Sequence, residues 1–142
     1  MLRELLFASG IVAVCVVIHT VGLVILTDQL IQRKEALERG FGMAKFAALL
    51  ILLFTVAILL HVGETGVWAA FYYGRGLFSD FETALYFSLG SYTTIGYGDV
   101  VLPQRWRLLG AIEGISGVLL CGLSGAFIFA IVQSLFQIRV RK

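Results

Sequence analysis

Three long apolar blocks, separated by short polar segments, dominate the chain. They run from about residue 5 to 27, 44 to 73 and 106 to 136. As α-helices rising 1.5 Å per residue, each is long enough to cross about 30 Å of hydrocarbon. A fourth segment, about 80 to 92, spans only about 20 Å and cannot cross. The glycine-rich stretch Gly96-Tyr97-Gly98 follows it closely. The pattern predicts a half-helix that enters the membrane and turns back. Ser79-x-x-Glu82 has the spacing of a capping box at its start. Gly74-Arg75-Gly76 ends the second block with a helix stop. The fold class expected is an all-α membrane protein. It has three transmembrane helices, a re-entrant helix and a glycine-rich loop. Residues 1–43 hold the first helix and a polar loop, and residues 44–142 hold the remainder.

Composition agrees with this picture. Of 142 residues, 59% are hydrophobic and 14% charged, against about 25% charged in soluble domains. Three spans leave little room for a soluble catalytic or ligand-binding domain. No nucleophile–base pair or metal cluster stands outside the apolar blocks, so neither an enzyme nor an organic cofactor is expected. The net charge of +2 is too small to argue for nucleic acid. A signal peptide is the rival reading of the first block. That block exceeds the usual ~7–15 apolar residues and no small-x-small cleavage pattern follows. Cys15 and Cys121 each lie within an apolar run and read as small packing residues.

Charge sets the expected orientation. Arg33, Lys34, Arg39 and Lys45 follow the first block, whereas only Arg3 precedes it. Arg139, Arg141 and Lys142 follow the last block. By the positive-inside rule both flanks are cytoplasmic, which places the N-terminus outside, in a plasma (inner) membrane. Gln29 to Glu38 has helix-forming composition and extends the first helix past the surface. Arg105 and Arg107 read as interface anchors.

Thr93-Thr94-Ile95-Gly96-Tyr97-Gly98-Asp99 is more than a turn between helices. It stands after a half-helix and between two spans, and it resembles the selectivity filter of potassium channels. Rings of carbonyl oxygens can replace the hydration shell of K+ when several chains share one axis. Gly96 and Gly98 permit the left-handed backbone that aims carbonyls along that axis. Ile95 can pack behind the filter, Thr94 can add its hydroxyl, and Tyr97 can turn outward and hold the diameter. The C-terminal end of the half-helix carries about half a negative charge, which favours a cation. Non-helical backbone at membrane depth must be buried in protein or line a cavity, so an oligomer is expected.

From about Ala44 onward the chain resembles the pore domain of bacterial two-helix potassium channels. The resemblance implies a homotetramer with an outer helix at about 44–73, a pore helix at 80–92, a filter at 94–98 and an inner helix at about 106–136. It assigns K+ to Thr94, Ile95, Gly96, Tyr97 and Gly98. Ser91, Thr93 and Asp99 support the filter, with Asp99 behind its outer mouth. Gly117 and Gly122 fall where an inner-helix hinge would stand. Gly90 departs from members that carry a bracing acidic or bulky residue there. The first helix has no counterpart in the two-helix pattern. It also lacks the Arg repeat of a voltage sensor, so gating by voltage or by a fused ligand domain is not expected.

His61 and Glu64 share a face of the second helix, and Glu113 lies at similar depth on the third. Ionisable groups in a membrane face protein and find partners. The expectation is one polar cluster bracing the pore helix through Tyr92 or the filter backbone. His19 reads as structural. Gly110, Gly114, Gly117, Cys121 and Ser124 recur at helical spacing, which suits close helix packing or a narrow pore face. The functional expectation is passive, potassium-selective conduction by a homotetramer in a lipid bilayer. A regulatory subunit stays open as a further partner. The alternatives are a less selective cation channel, against which Tyr97 argues, and a non-conducting accessory subunit.

Overall fold

A computed structural model describes residues 2–32 and 42–140. Helix α1 spans Leu2–Gln32, α2 Met43–Gly74, α3 Phe81–Tyr92 and α4 Arg107–Val140, with a 3-10 turn at Gln104–Trp106 before α4. Helices α1, α2 and α4 are long and apolar enough to cross a membrane. Helix α3, with 12 residues, is not. Residues 33–38 of the expected extension of α1 lie outside the described residues.

Local chemistry sets the ends of these helices. Helix α2 stops in a Schellman motif: Gly76 N–H donates to Tyr73 O at 2.9 Å and Leu77 N–H to Tyr72 O at 3.0 Å. Gly76 takes φ +65° there, a conformation that glycine adopts without steric penalty. The start of α3 differs from expectation by one residue. Asp80, not Ser79, is the N-cap, and its carboxylate accepts the Thr83 N–H at 2.7 Å. Ser79 instead donates to Asp80 Oδ2 at 2.8 Å. A carboxylate is the stronger acceptor and also meets the positive end of the helix dipole. The Thr83 N–H bond accordingly holds the Asp80 carboxyl below its ordinary pKa.

Helix α1 packs on α2 and α4 of its own chain. Its buried residues are Glu4, Ala8, Ile11, Cys15, His19 and Leu26, a stripe at spacings of three, four and seven. Ala8 and Cys15 are small enough for close approach. Around Trp68 and Tyr72 a core gathers residues from every helix, and a second core forms around Leu53, Leu26 and Ile128. Cys15 is buried as expected, whereas Cys121 is exposed on the single chain. At the end of the molecule that holds the start of α1, the Arg75 guanidinium lies 4.3 Å from the Phe7 ring centre. Arg105 donates to Glu4 Oε1 at 3.0 Å, and Arg107 donates to Leu102 O at 3.3 Å. These contacts bring the N-terminal ends of α1 and α4 to the C-terminal end of α2.

Helix α3 rests on a glycine stripe of α4. A Cβ at Gly110 would stand 3.1 Å from the Phe87 ring, and one at Gly114 would stand 3.0 Å from Ser91 O. At Gly117 it would collide with the backbone carbonyl of Tyr92. Close approach therefore accounts for glycine at 117 without any bending. Gly122 meets nothing within 4 Å. Gly117→Ala is expected to cost roughly 1–3 kcal/mol by overpacking, and Gly122→Ala far less. Thermal melts of the two purified variants in detergent check this; equal melting temperatures would contradict it.

Candidate functional site

The residues singled out by sequence gather around α3 and the loop after it. Helix α3 does not fade into that loop. Thr93 N–H donates to Leu89 O at 3.1 Å, Thr94 N–H to Ser91 O at 3.0 Å, and Gly96 N–H to Gly90 O at 3.0 Å. The loop thus folds back on the C-terminal turn of α3, where the free carbonyls are. Gly90 offers that acceptor, and no atom lies within 4 Å of where its Cβ would be.

Along the loop every second residue is left-handed: Thr94 at φ +61°, Gly96 at +53° and Gly98 at +80°. In an ordinary extended strand successive carbonyls point to opposite sides. Reversing the handedness of alternate residues turns them toward one side. Glycine does this freely, while Thr94 is β-branched and bears a cost of about 1–2 kcal/mol. Residues 93–99 are exposed on the single chain. Ile95 is 57% exposed, so the packing expected behind it is not made inside one subunit. Tyr97 stacks on Tyr86, ring centres 6.2 Å apart. The Tyr86 hydroxyl donates to Asp99 Oδ2 at 2.7 Å and holds that carboxyl below the usual carboxylate range. Tyr86 is a support that the sequence did not reveal. An open cleft of about 500 Å³ lies beside the loop, bounded by Ser91, Thr94, Gly96, Gly114 and Val118.

The expected polar cluster is two groups, one from each flanking span. Glu113 of α4 is fully buried. It accepts from Tyr72 at 2.8 Å and from Ser88 of α3. Ser88 also reaches Thr65 O at 2.9 Å. Glu64 of α2, equally buried, accepts from the Tyr92 hydroxyl. It also meets His61 Nδ1 at 3.1 Å and His19 Nδ1 at 2.8 Å. Ser124 Oγ lies 3.1 Å from His19 Nε2 and 3.2 Å from His61 Nε2. His19, Ser124, Tyr72 and Ser88 were not anticipated in this role. Helical spacing of His19 with Ala8 and Cys15 was the available signal.

A half-helix held between two helices long and apolar enough to span a membrane, followed by a loop with alternating left-handed residues, marks the chain as a membrane protein with a re-entrant segment. The chain belongs to the ion channel family, whose family model matches residues 46–134. That segment takes in α3, the glycine-rich loop and nearly all of α2 and α4, while α1 lies outside it. No curated protein and no solved structure matches the chain.

Glu113→Ala would leave the buried Tyr72 hydroxyl without its acceptor, at about 1–3 kcal/mol, while Ser88 keeps the Thr65 carbonyl. Glu113→Gln keeps an acceptor for Tyr72 and offers an amide donor to Ser88. The alanine variant is expected to melt well below wild type in detergent and the glutamine variant close to it. Equal losses in both would contradict the hydrogen-bonding role.

Proposed function

We propose that the chain is one subunit of a homotetrameric, potassium-selective channel in the plasma (inner) membrane. K+ would pass along oxygens contributed by Thr94, Ile95, Gly96, Tyr97 and Gly98 from each of four chains. The observation that carries this reading is the alternating handedness at Thr94, Gly96 and Gly98. Such alternation would turn the carbonyls of one chain toward one side, and four such columns around an axis would make successive oxygen rings. Helix α3 supports the same reading. Its C-terminal end precedes the loop, and four such ends place negative partial charge near the entrance to the rings.

Tetramerisation has its own physical support. Residues 93–99 are non-helical and exposed on the single chain, and several of their backbone carbonyls would need partners. Lipid cannot satisfy those groups, but a pore can. Ile95, exposed here, would find its apolar contacts against a neighbouring subunit. The face of α4 that carries Ile115, Val118, Leu119 and Phe129 is also exposed. It is free to meet a neighbour or to line the inner vestibule. In this reading Ser91 and Thr93 support the filter from the end of α3, and Asp99 does so from the outer side through Tyr86. The N-terminus is outside and the C-terminal end of α4 cytoplasmic.

Purified protein in potassium-loaded liposomes tests the proposal. Flux is expected with K+ and not with Na+. Gly96→Ala, which places a Cβ on a left-handed residue, is expected to abolish flux while tetramers persist. Equal K+ and Na+ fluxes would favour a less selective cation channel. Absence of flux from well-formed tetramers would favour a non-conducting accessory subunit.

A further inference from the structure

The group around Glu64 has the composition of a metal site. His19, His61 and Glu64 each bring one ligand atom, all within 4.8 Å of one another. His19 and Glu64 are fully buried, and the His61 side chain is 18% exposed, so one edge of the group reaches the surface. We propose that these residues bind a borderline divalent transition ion of the Zn2+ type, clamping α1 to α2 beside the end of α3. Two imidazoles and a carboxylate suit such an ion. Mg2+ and Ca2+ would require more oxygens.

The geometry is close to what binding needs. His19 Nδ1 and Glu64 Oε1 are 2.8 Å apart, and His61 Nδ1 and Glu64 Oε2 3.1 Å. Ligands in a tetrahedral zinc shell stand about 3.3 Å apart; each histidine is within about half an ångström of that spacing from its own Glu64 oxygen, and the three-atom set has to close from within 4.8 Å. The Tyr92 oxygen, 2.9 Å from His61 Nδ1, supplies a fourth position. A bound cation promotes loss of its ligands' protons, so Glu64 and Tyr92 together can balance the charge of the ion.

Ser124 is the telling residue. Its oxygen faces the Nε2 atoms of both histidines. When both Nδ1 atoms bind metal, both Nε2 atoms carry hydrogen, and one hydroxyl oxygen can accept both bonds. Fixing the outer nitrogen of a ligating histidine in this way is how metal sites set tautomer and ring orientation. Without metal, two neutral histidines that donate to Glu64 present two bare Nε2 atoms to a single hydroxyl hydrogen. The metal-free alternatives are a network holding one additional proton and a neutral tautomer in which Tyr92 donates to His61 Nδ1, His61 Nε2–H to Ser124 and Ser124 to His19 Nε2, and experiment must separate these from the metal site. The site also gives α1 a purpose. His19 is the α1 ligand, and Tyr92 lies where the loop begins, so occupancy would couple α1 to the end of α3. Metal binding itself does not depend on what the loop conducts.

Tag-free, chelator-stripped protein in detergent should be titrated with Co2+ and followed by visible absorption. The expected result is one Co2+ per chain with the intense bands of tetrahedral coordination, displaced by Zn2+. His19→Gln and Glu64→Gln should lose the bands. Ser124→Ala should weaken affinity by about 10–100-fold. Cys15→Ala should keep the bands, since its sulfur bonds the Glu64 backbone carbonyl, at 3.9 Å, and not the carboxylate. Zn2+ should raise the melting temperature of wild type, but not of His19→Gln or Glu64→Gln, and Mg2+ should raise none of them. Absence of tetrahedral bands in wild type, their persistence in His19→Gln, or no Zn2+-specific stabilisation would overturn the proposal in favour of the metal-free network.

Discussion

The structure depends on holding a half-length helix at membrane depth. Helix α3 has 12 residues, too few to cross the bilayer and satisfy its ends in water on both sides. Its N-terminal end is settled by Asp80. Its C-terminal half is held by two buried carboxylates, Glu113 through Ser88 and Glu64 through Tyr92. These bonds join α3 to α4 and α2, the helices that flank it. The glycine stripe at Gly110, Gly114 and Gly117 lets α3 come close enough for the bonds to form. Small residues provide proximity, and the carboxylates then fix position along the helix axis, which apolar packing alone defines poorly.

The loop inherits its conformation from that anchor. Thr94 and Gly96 bond back to the last turn of α3, so the position and direction of α3 determine where the first carbonyls stand. Thr94 is held in a left-handed conformation that a β-branched residue disfavours. Strain of this kind persists only where the surroundings over-determine the backbone, and it concentrates at functional sites. The Tyr86–Tyr97 stack and the Tyr86–Asp99 hydrogen bond fix the far end of the loop against the same helix. One half-helix therefore sets both ends of the polar segment.

Much of this was legible in the sequence because bilayer thickness is a strict ruler. The three apolar blocks, the short segment and the glycine stop after Tyr73 each gave an element within a few residues of its position. The register of the cap was less secure, since Ser79 and Asp80 both have capping chemistry and only geometry decides between them. The packing face of α1 was hidden for a physical reason. In lipid both faces of a helix are apolar, so hydrophobic periodicity carries little signal. His19 therefore stood alone in the sequence, although its partner Glu64 lies 45 residues away. Glu113 and Glu64 were visible as costly intramembrane charges, but their separation into two groups follows from which α3 hydroxyl each one meets, Ser88 or Tyr92.

The central claim is that the anchored loop coordinates a dehydrated K+ ion. The most direct measurement is the melting temperature of the purified protein as a function of K+ and Na+ concentration at constant ionic strength. An ion bound only by the native state stabilises it with a logarithmic dependence on concentration. A melting temperature that rises with K+ and is indifferent to Na+ is the predicted result. Equal stabilisation by both ions, or by neither, would contradict the account.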